Sequence, residues 1–341
     1  MFMRKLGVAA ALILSATGAF ASNFRAADQV YVPVAAHAGG SSGTFITDAF
    51  LANLSSDSVD VAVIYVPLGE NSGAITPVAS LEELRGRITL QPFERKEFLD
   101  IFANTLGKPS AFGMLVFNGC KAGLSCGTDT QNQQTGVSPN FRPISVQTRI
   151  YQITSSAPNP PTTGQLFSGI PWYSFVSKLQ SPVQLDKVFI TGLTQNGLAG
   201  QAGTFRSNIG VVNASEWSKT EIKFRLYQGS LTDANLKAEV IKNLGPLGNQ
   251  LYGFTALFPN FTGSNYFVTV EQGTVEAVPG APTNCVQGCP AFLAYGSVLD
   301  NISGDATTLE AQYLVEMDAE ALEILYPPSA GKSILRRPVR H

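Results

Sequence analysis

Apolar and polar residues alternate along much of this chain with the period of two that a half-buried strand requires. The clearest run is Glu221 to Leu226, where Ile222, Phe224 and Leu226 face one way and charged residues the other. Val61 to Val66 repeats the pattern less sharply: Ala62, Ile64 and Val66 are read as inward, Val61, Val63 and Tyr65 as outward. Further strands are expected at Val30–Val34, Phe45–Ala52, Arg87–Leu90, Gly113–Phe117 and Ile144–Tyr151. A second set is expected at Val188–Thr191, Phe205–Val212, Ala238–Ile241, Phe267–Glu271 and Phe292–Leu299. Gly, Pro, Asn and Ser separate these runs as turn residues do. Leu81–Arg85 and Lys96–Asn104 read as short helical turns, and Asp318–Leu325 as a terminal helix.

The two sets of strands are related. Residues 43–69 align without a gap on 203–229, with seven of 27 positions identical, among them Gly43-Thr44-Phe45 with Gly203-Thr204-Phe205 and Asn53 with Asn213. Upstream, Asp28 to Val32 matches Asp186 to Ile190. Downstream, Pro92, Phe98, Phe112 and Gly119 fall opposite Pro246, Tyr252, Tyr266 and Gly273. An internal duplication follows, and about seven short strands per copy point to an immunoglobulin-like sandwich, with a jelly roll or other small sandwich as the alternative. The expected fold is therefore all-β: two tandem immunoglobulin-like β-sandwich modules, over 22–154 and 183–317. A linker at 155–182, opening on a Pro/Ser/Thr-rich stretch, separates them, and a short helical or irregular tail at 318–341 follows.

The first 21 residues read as a signal peptide: Arg4 and Lys5, an apolar run from Leu6 to Leu14, and a small-x-small site at Ala19-Phe20-Ala21. That run is too short to span a bilayer, and no later stretch is long and apolar enough to do so. The product is expected to be exported: periplasmic, extracellular or at the cell surface. A net charge of -2 gives no global field for nucleic acid.

Export makes disulfides the natural reading of Cys120, Cys126, Cys285 and Cys289. Each pair sits in the loop after the same strand of the repeat, so Cys120–Cys126 and Cys285–Cys289 are favoured among the three connectivities. With two histidines in the chain, neither pair fits a zinc pattern.

Motifs that carry chemistry are weak. Gly39-Gly40-Ser41-Ser42-Gly43 matches the form of a nucleophile elbow, with His37 nearby, but a strand follows where the elbow needs a helix. Asp300 to Asp305 is an oxygen-rich loop, read as an Asx turn rather than a calcium site. Sequons occur at Asn53, Asn213, Asn260 and Asn301. The equivalence of Asn53 and Asn213 suits amides that bond backbone at a strand end. No catalytic residue and no cofactor is expected.

Gly203 to Asn213 (GTFRSNIGVVN), with Tyr295 to Asp305 (YGSVLDNISGD) closing the module, resembles secreted bacterial proteins with tandem immunoglobulin-like sandwiches. The resemblance would cover roughly residues 28–315 and rests on strand ends and turns. It implies fold and compartment, and carries no catalytic residue.

The expected function is a non-enzymatic binding or structural role in adhesion, matrix or envelope assembly, through sheet edges and loops. The expected partner is a protein or surface glycan, with assembly into a homo-oligomer or filament. The outward face of Val61, Val63 and Tyr65 is the first candidate contact. Trp217, in a polar turn, is the second and would serve a carbohydrate-binding accessory role. A hydrolase using Ser41 or a carboxylate pair ranks last.

Overall fold

The computed structural model describes residues 26–40, 43–70, 88–124, 140–153, 162–177, 187–198, 200–215, 217–279 and 291–312. Among them strands dominate, all paired antiparallel, and no helix is long and apolar enough to cross a membrane. The chain divides into two compact units: residues 1–65 with 81–174, and 66–80 with 175–341.

The first unit contains β1 (Gln29–Gly40), β2 (Gly43–Asn53), most of β3 (Val59–Pro67), β4 (Ile88–Leu90), β5 (Arg95–Phe98), β6 (Ala111–Lys121), β7 (Ile144–Ile153), β8 (Thr162–Ser168) and β9 (Ile170–Pro171). One ladder runs β4-β3-β6-β1, with β9 added to β1; the other runs β5-β2-β7-β8. They join where the end of β1 pairs with the start of β2, Ala38 with Phe45 and Gly40 with Gly43. Pro33 cannot donate to a ladder, and β1 is bulged between Val32 and Ala35, where that donor is missing.

The second unit contains β10 (Lys187–Gln195), β11 (Phe205–Asn213), β12 (Ser218–Gln228), β13 (Leu236–Leu244), β14 (Asn249–Gly253), β15 (Gly263–Ala277), β16 (Phe292–Asp300) and β17 (Ala306–Glu310). Its sheets are β10-β15-β12-β13 and β14-β11-β16-β17. Between them lies one apolar core, with Ile190, Phe224, Leu226, Val268 and Val270 from the first sheet. Ile209, Val211, Tyr252, Phe292 and Ala294 come from the second. Gly210 lies opposite Tyr295 in the ladder, and a Cβ there would fall inside the tyrosine ring. The outer face of the first sheet is ionic: Arg225 bonds Glu239 at 2.7 Å and Glu271 at 3.2 Å, and Lys187 reaches Glu271 at 3.3 Å.

The two units share a pairing scheme, the β1–β2 junction and β9 of the first unit apart. In the first unit β2 lies between β5 and β7, and β7 adds β8; in the second β11 lies between β14 and β16, and β16 adds β17. Registers agree as well. Ala49 faces Phe98 as Ile209 faces Tyr252, and Asp48 faces Arg149 as Asn208 faces Ser297.

The described residues of every expected strand segment lie in strands, Arg87 falling outside the described residues. Three details of the sequence reading change. Residues 162–171, placed in the linker, form β8 and β9, because the polar run supplies an edge strand for β7. Lys96–Asn104, read as a helical turn, is the end of β5 followed by a π-helical turn at Ile101–Thr105. Third, β3 presents the opposite face to the core over most of its length: Val59, Val61, Val63 and Tyr65 are buried and Ala62 and Ile64 half-buried, while Val66, read as inward, is buried as expected. Leu81–Arg85 and Asp318–Leu325 lie outside the described residues.

The cause of the β3 reversal is one residue in the preceding turn. The Asn53 amide nitrogen donates to the carbonyl of Asp57, whereas that of Asn213 donates to Ser218. The turn after Asn213 is thus one residue longer, and a gap-free alignment through it slips by one. Because the side-chain period of a strand is two, that slip moves every residue to the other face.

Candidate functional site

Buried asparagines lock the loops at the strand ends. Asn53 is inaccessible to solvent; its Nδ2 donates to the carbonyls of Asp57 at 2.7 Å and Gln91 at 2.9 Å, and its Oδ1 accepts from the Ser55 amide at 2.8 Å. Asn213 makes the matching set with Ser218, Gly245 and Ser215. Each side chain therefore ties a turn to a second loop that sequence places more than 30 residues away. Of the four sequon asparagines, Asn53, Asn213 and Asn301 are buried and Asn260 is exposed.

The loop tied down by Asn53 is itself unusual. Pro92 and Phe93 occupy the centre of a turn closed by the Glu94 amide donating to the Gln91 carbonyl at 3.0 Å. Phe93 has φ 57°, a left-handed conformation that favours glycine or asparagine at this position. Leu247 holds the same place after Pro246, with φ 52°, and is buried. Phe93 instead is 71% exposed. The ladder that pairs Ala52 with Arg95 puts Leu54, 53% exposed, at the register position opposite Phe93. Two apolar side chains thus stand out from loops that a buried amide holds in place. Around them, Asp57 accepts from Arg142 and Lys121, and these cations, Arg142 first, hold its carboxyl below the usual carboxylate range.

A second locked loop pair lies in the other unit. The Asn301 amide group donates to Thr204 Oγ1 at 2.9 Å and accepts from Arg206 at 2.9 Å, and its carbonyl accepts from the Gly200 amide at 2.7 Å. Asp300 Oδ1 accepts from the amides of Ile302 and Ser303 at 2.9 and 2.7 Å, the expected Asx turn. Those amides, Ser303 first, hold the Asp300 carboxyl low. Leu198 and Ile302 project from the two joined loops, 70% and 61% exposed.

His37 has one partner that sequence did not suggest. Its Nδ1 lies 2.9 Å from both carboxylate oxygens of Asp100, which sits 63 residues away with φ 45° at the start of the π-helical turn. The Asp100 amide in turn donates to buried Asp48 at 2.9 Å, and Tyr151 donates to the same oxygen at 3.3 Å. Burial first, then the Asp48 charge, pushes the Tyr151 hydroxyl up. The dyad fixes the imidazole ring across the β1–β2 corner. Ser41 and Ser42 lie outside the described residues; Gly40 ends strand β1 and Gly43 opens strand β2, where a nucleophile elbow needs a helix.

The residues singled out from sequence fare unevenly. Val61, Val63 and Tyr65 are core residues of β3, so the contact surface proposed there is withdrawn: their side chains fill the sandwich interior. Tyr65 donates to the Phe112 carbonyl and packs edge-on against Phe102. Trp217 is half-buried, with its amide bonded to Ser215 Oγ and its carbonyl to the Val278 amide. Cys120 is buried one residue before the end of β6 and, among the described residues, no cysteine is a free thiol. Cys126, Cys285 and Cys289 lie outside the described residues. No group of three His, Cys, Asp or Glu side chains that could hold a metal occurs among the described residues.

No protein-family model matches this chain, and no curated protein matches its sequence. Among solved structures it is similar to the crystal structure of Thermotoga maritima 1070, at 14% identity and a TM-score of 0.26, over 38% of this chain and 90% of that one. It is also similar to the cryo-EM structure of broad bean stain virus, at 10% identity and a TM-score of 0.22, over 88% of this chain and 96% of that one. Likeness at this level carries no argument about function.

Proposed function

We propose that the protein is an exported, non-enzymatic binding or structural protein, made from two copies of one immunoglobulin-like sandwich module and acting through its loop ends. Duplication is supported by the matching ladders and registers and by the paired roles of Asn53 and Asn213. The strand grouping shared by the two units departs from the ABED/CFG arrangement of an immunoglobulin constant domain, so the likeness is one of architecture. Export and local bridges between Cys120 and Cys126 and between Cys285 and Cys289 complete the reading.

The observation that carries the functional reading is the exposed Phe93, held at positive φ on a turn that a buried amide anchors. Strained, exposed aromatic residues on rigid loops are disfavoured by folding and are retained where they make contacts. Adhesion, matrix or envelope assembly suits such rigid tips, because ordering costs are met before binding.

The test is the mass of the processed protein by light scattering from dilute to concentrated solution. Mass above the monomer, lost in Phe93→Gly, supports assembly through this loop. A monomer at every concentration that is also not retained on surface polysaccharide overturns the proposal.

A further inference from the structure

We infer that the chain just after β3, residues 68–70, is a strap: it opens a loop longer in the first copy than in the second, and it completes the second unit by closing the edge of β14. The strap goes beyond the loop-end contact and does not depend on it.

Pro67 and Gln228 end the matching strands β3 and β12, and the next strands begin at Ile88 and Leu236. In the second copy the connection, 229–235, turns at once: Gly229 has φ 88° and its amide donates to the Asn265 carbonyl at 3.3 Å. In the first copy the connection, 68–87, is far longer, and residues 66–80 belong to the second compact unit although residues 59–65 and β4 belong to the first. Both backbone groups of Asn249, at the start of β14, go to Gly69: the amide donates at 2.8 Å and the carbonyl accepts at 2.7 Å. β11 takes the other side of β14. An edge strand occupied in this way is withheld from pairing with another chain.

The matching turns show why the strap fits the second unit. In the first unit the Gln91 amide donates to the Glu94 carboxylate of its own turn at 2.6 Å. Gly245 and Gly248 hold those two places in the second unit, with the same bonds to Asn213 that Gln91 and Glu94 make to Asn53. With no side chain at 248, the Gly245 amide donates instead to the Glu70 carbonyl, at 2.6 Å. A Cβ on Gly248 would stand 2.5 Å from that oxygen, so glycine is what admits the strap. The Glu70 side chain adds a second tie by accepting from the Tyr252 hydroxyl at 2.7 Å. Tyr252 belongs to the core of the second unit, where a hydroxyl without an acceptor is costly. Burial first, then Glu70, pushes that hydroxyl far up, so it remains a donor. The first unit has Phe98 at this place in the ladder, with no hydroxyl to satisfy. The long connection, the glycine and the tyrosine hydroxyl thus occur together, and each answers the others.

Native-state hydrogen exchange on the full chain tests the strap, with circular dichroism to check that each variant folds. Glu70→Ala removes the acceptor of Tyr252 and is expected to speed exchange at the Gly245 and Asn249 amides about tenfold. Glu70→Gln keeps an acceptor oxygen and is expected to exchange as the wild type does. Gly248→Glu gives the second unit the turn of the first. The strap is then displaced, so the Asn249 amide loses protection while the Gly245 amide keeps it on the new carboxylate. In all three variants the amides of β6 and β7, in the first unit, are expected to stay unchanged. If Gly248→Glu does not fold, the Glu70 pair decides alone. Unchanged exchange at Asn249 in Glu70→Ala or in folded Gly248→Glu overturns the strap. So does exchange in Glu70→Gln as fast as in Glu70→Ala, or equal loosening of β6 and β7.

Discussion

The Nδ2 of Asn213 donates to the carbonyl of Gly245 at 2.8 Å across 32 residues of chain, with no solvent access to the side chain. Asn53 makes the corresponding bond to Gln91 in the other unit. A buried amide with its partners in place is nearly neutral for stability, but its removal strands backbone groups that water cannot reach. Asn213→Ala leaves the carbonyls of Ser218 and Gly245 and the amide of Ser215 without their side-chain partner. The expected loss is about 2–3 kcal/mol in urea unfolding. Asn260→Ala, on an exposed site, is expected to stay within about 0.5 kcal/mol.

The reversed face of β3 separates two neighbouring substitutions. Val63 is inaccessible and Ile64 is half-buried. Val63→Lys forces an unpaired ammonium into the core and is expected to cost on the order of 4 kcal/mol. Ile64→Lys can keep its charge in water and is expected to cost less than about 1.5 kcal/mol. Thermal unfolding of the two variants reads the order directly.

Phe93 predicts an opposite pair of effects. A non-glycine residue in the left-handed region costs roughly 1 kcal/mol, and an exposed ring returns little of it through packing. Phe93→Gly is therefore expected to unfold no more easily than the wild type in urea, with relief of strain offset by greater freedom of the unfolded chain. Association is expected to fall in the same variant. A clear loss of stability on removing the ring would mean that it packs in the fold and is no free contact.

Acid stability is expected to depend on Asp57. Arg142, then Lys121, depress its carboxyl in the folded state, so its contribution is present above the unfolded carboxylate value and is lost as pH falls through the lower folded value. Arg142→Met should raise the Asp57 titration seen by carboxyl NMR and shift the acid unfolding limb to higher pH. An unmoved Asp57 titration would contradict the assignment.

Much of this fold was legible in the residues. Ile222, Phe224 and Leu226 announce their face, and Asn53 with Asn213 announce a shared strand end. The face of β3 was not legible, since Val61 to Tyr65 is apolar on both sides and one inserted residue before Ser218 hides the true register. β8 was missed because Thr162 to Ser168 lacks an apolar alternation; its partner β7 orders it. The His37–Asp100 contact spans 63 residues and left no local pattern. For the loop ends a signal was present: Pro-Phe and Pro-Leu stand at matching positions, 92–93 and 246–247, where turn chemistry favours glycine after proline.

The most direct test of loop-end contact is hydrogen exchange followed from dilute to concentrated protein. The account predicts that protection rises with concentration at residues 54–58 and 91–94, while the edge strand β13 stays unchanged. Protection that rises at β13 alone, or at no backbone amide while light scattering reports assembly, would contradict it.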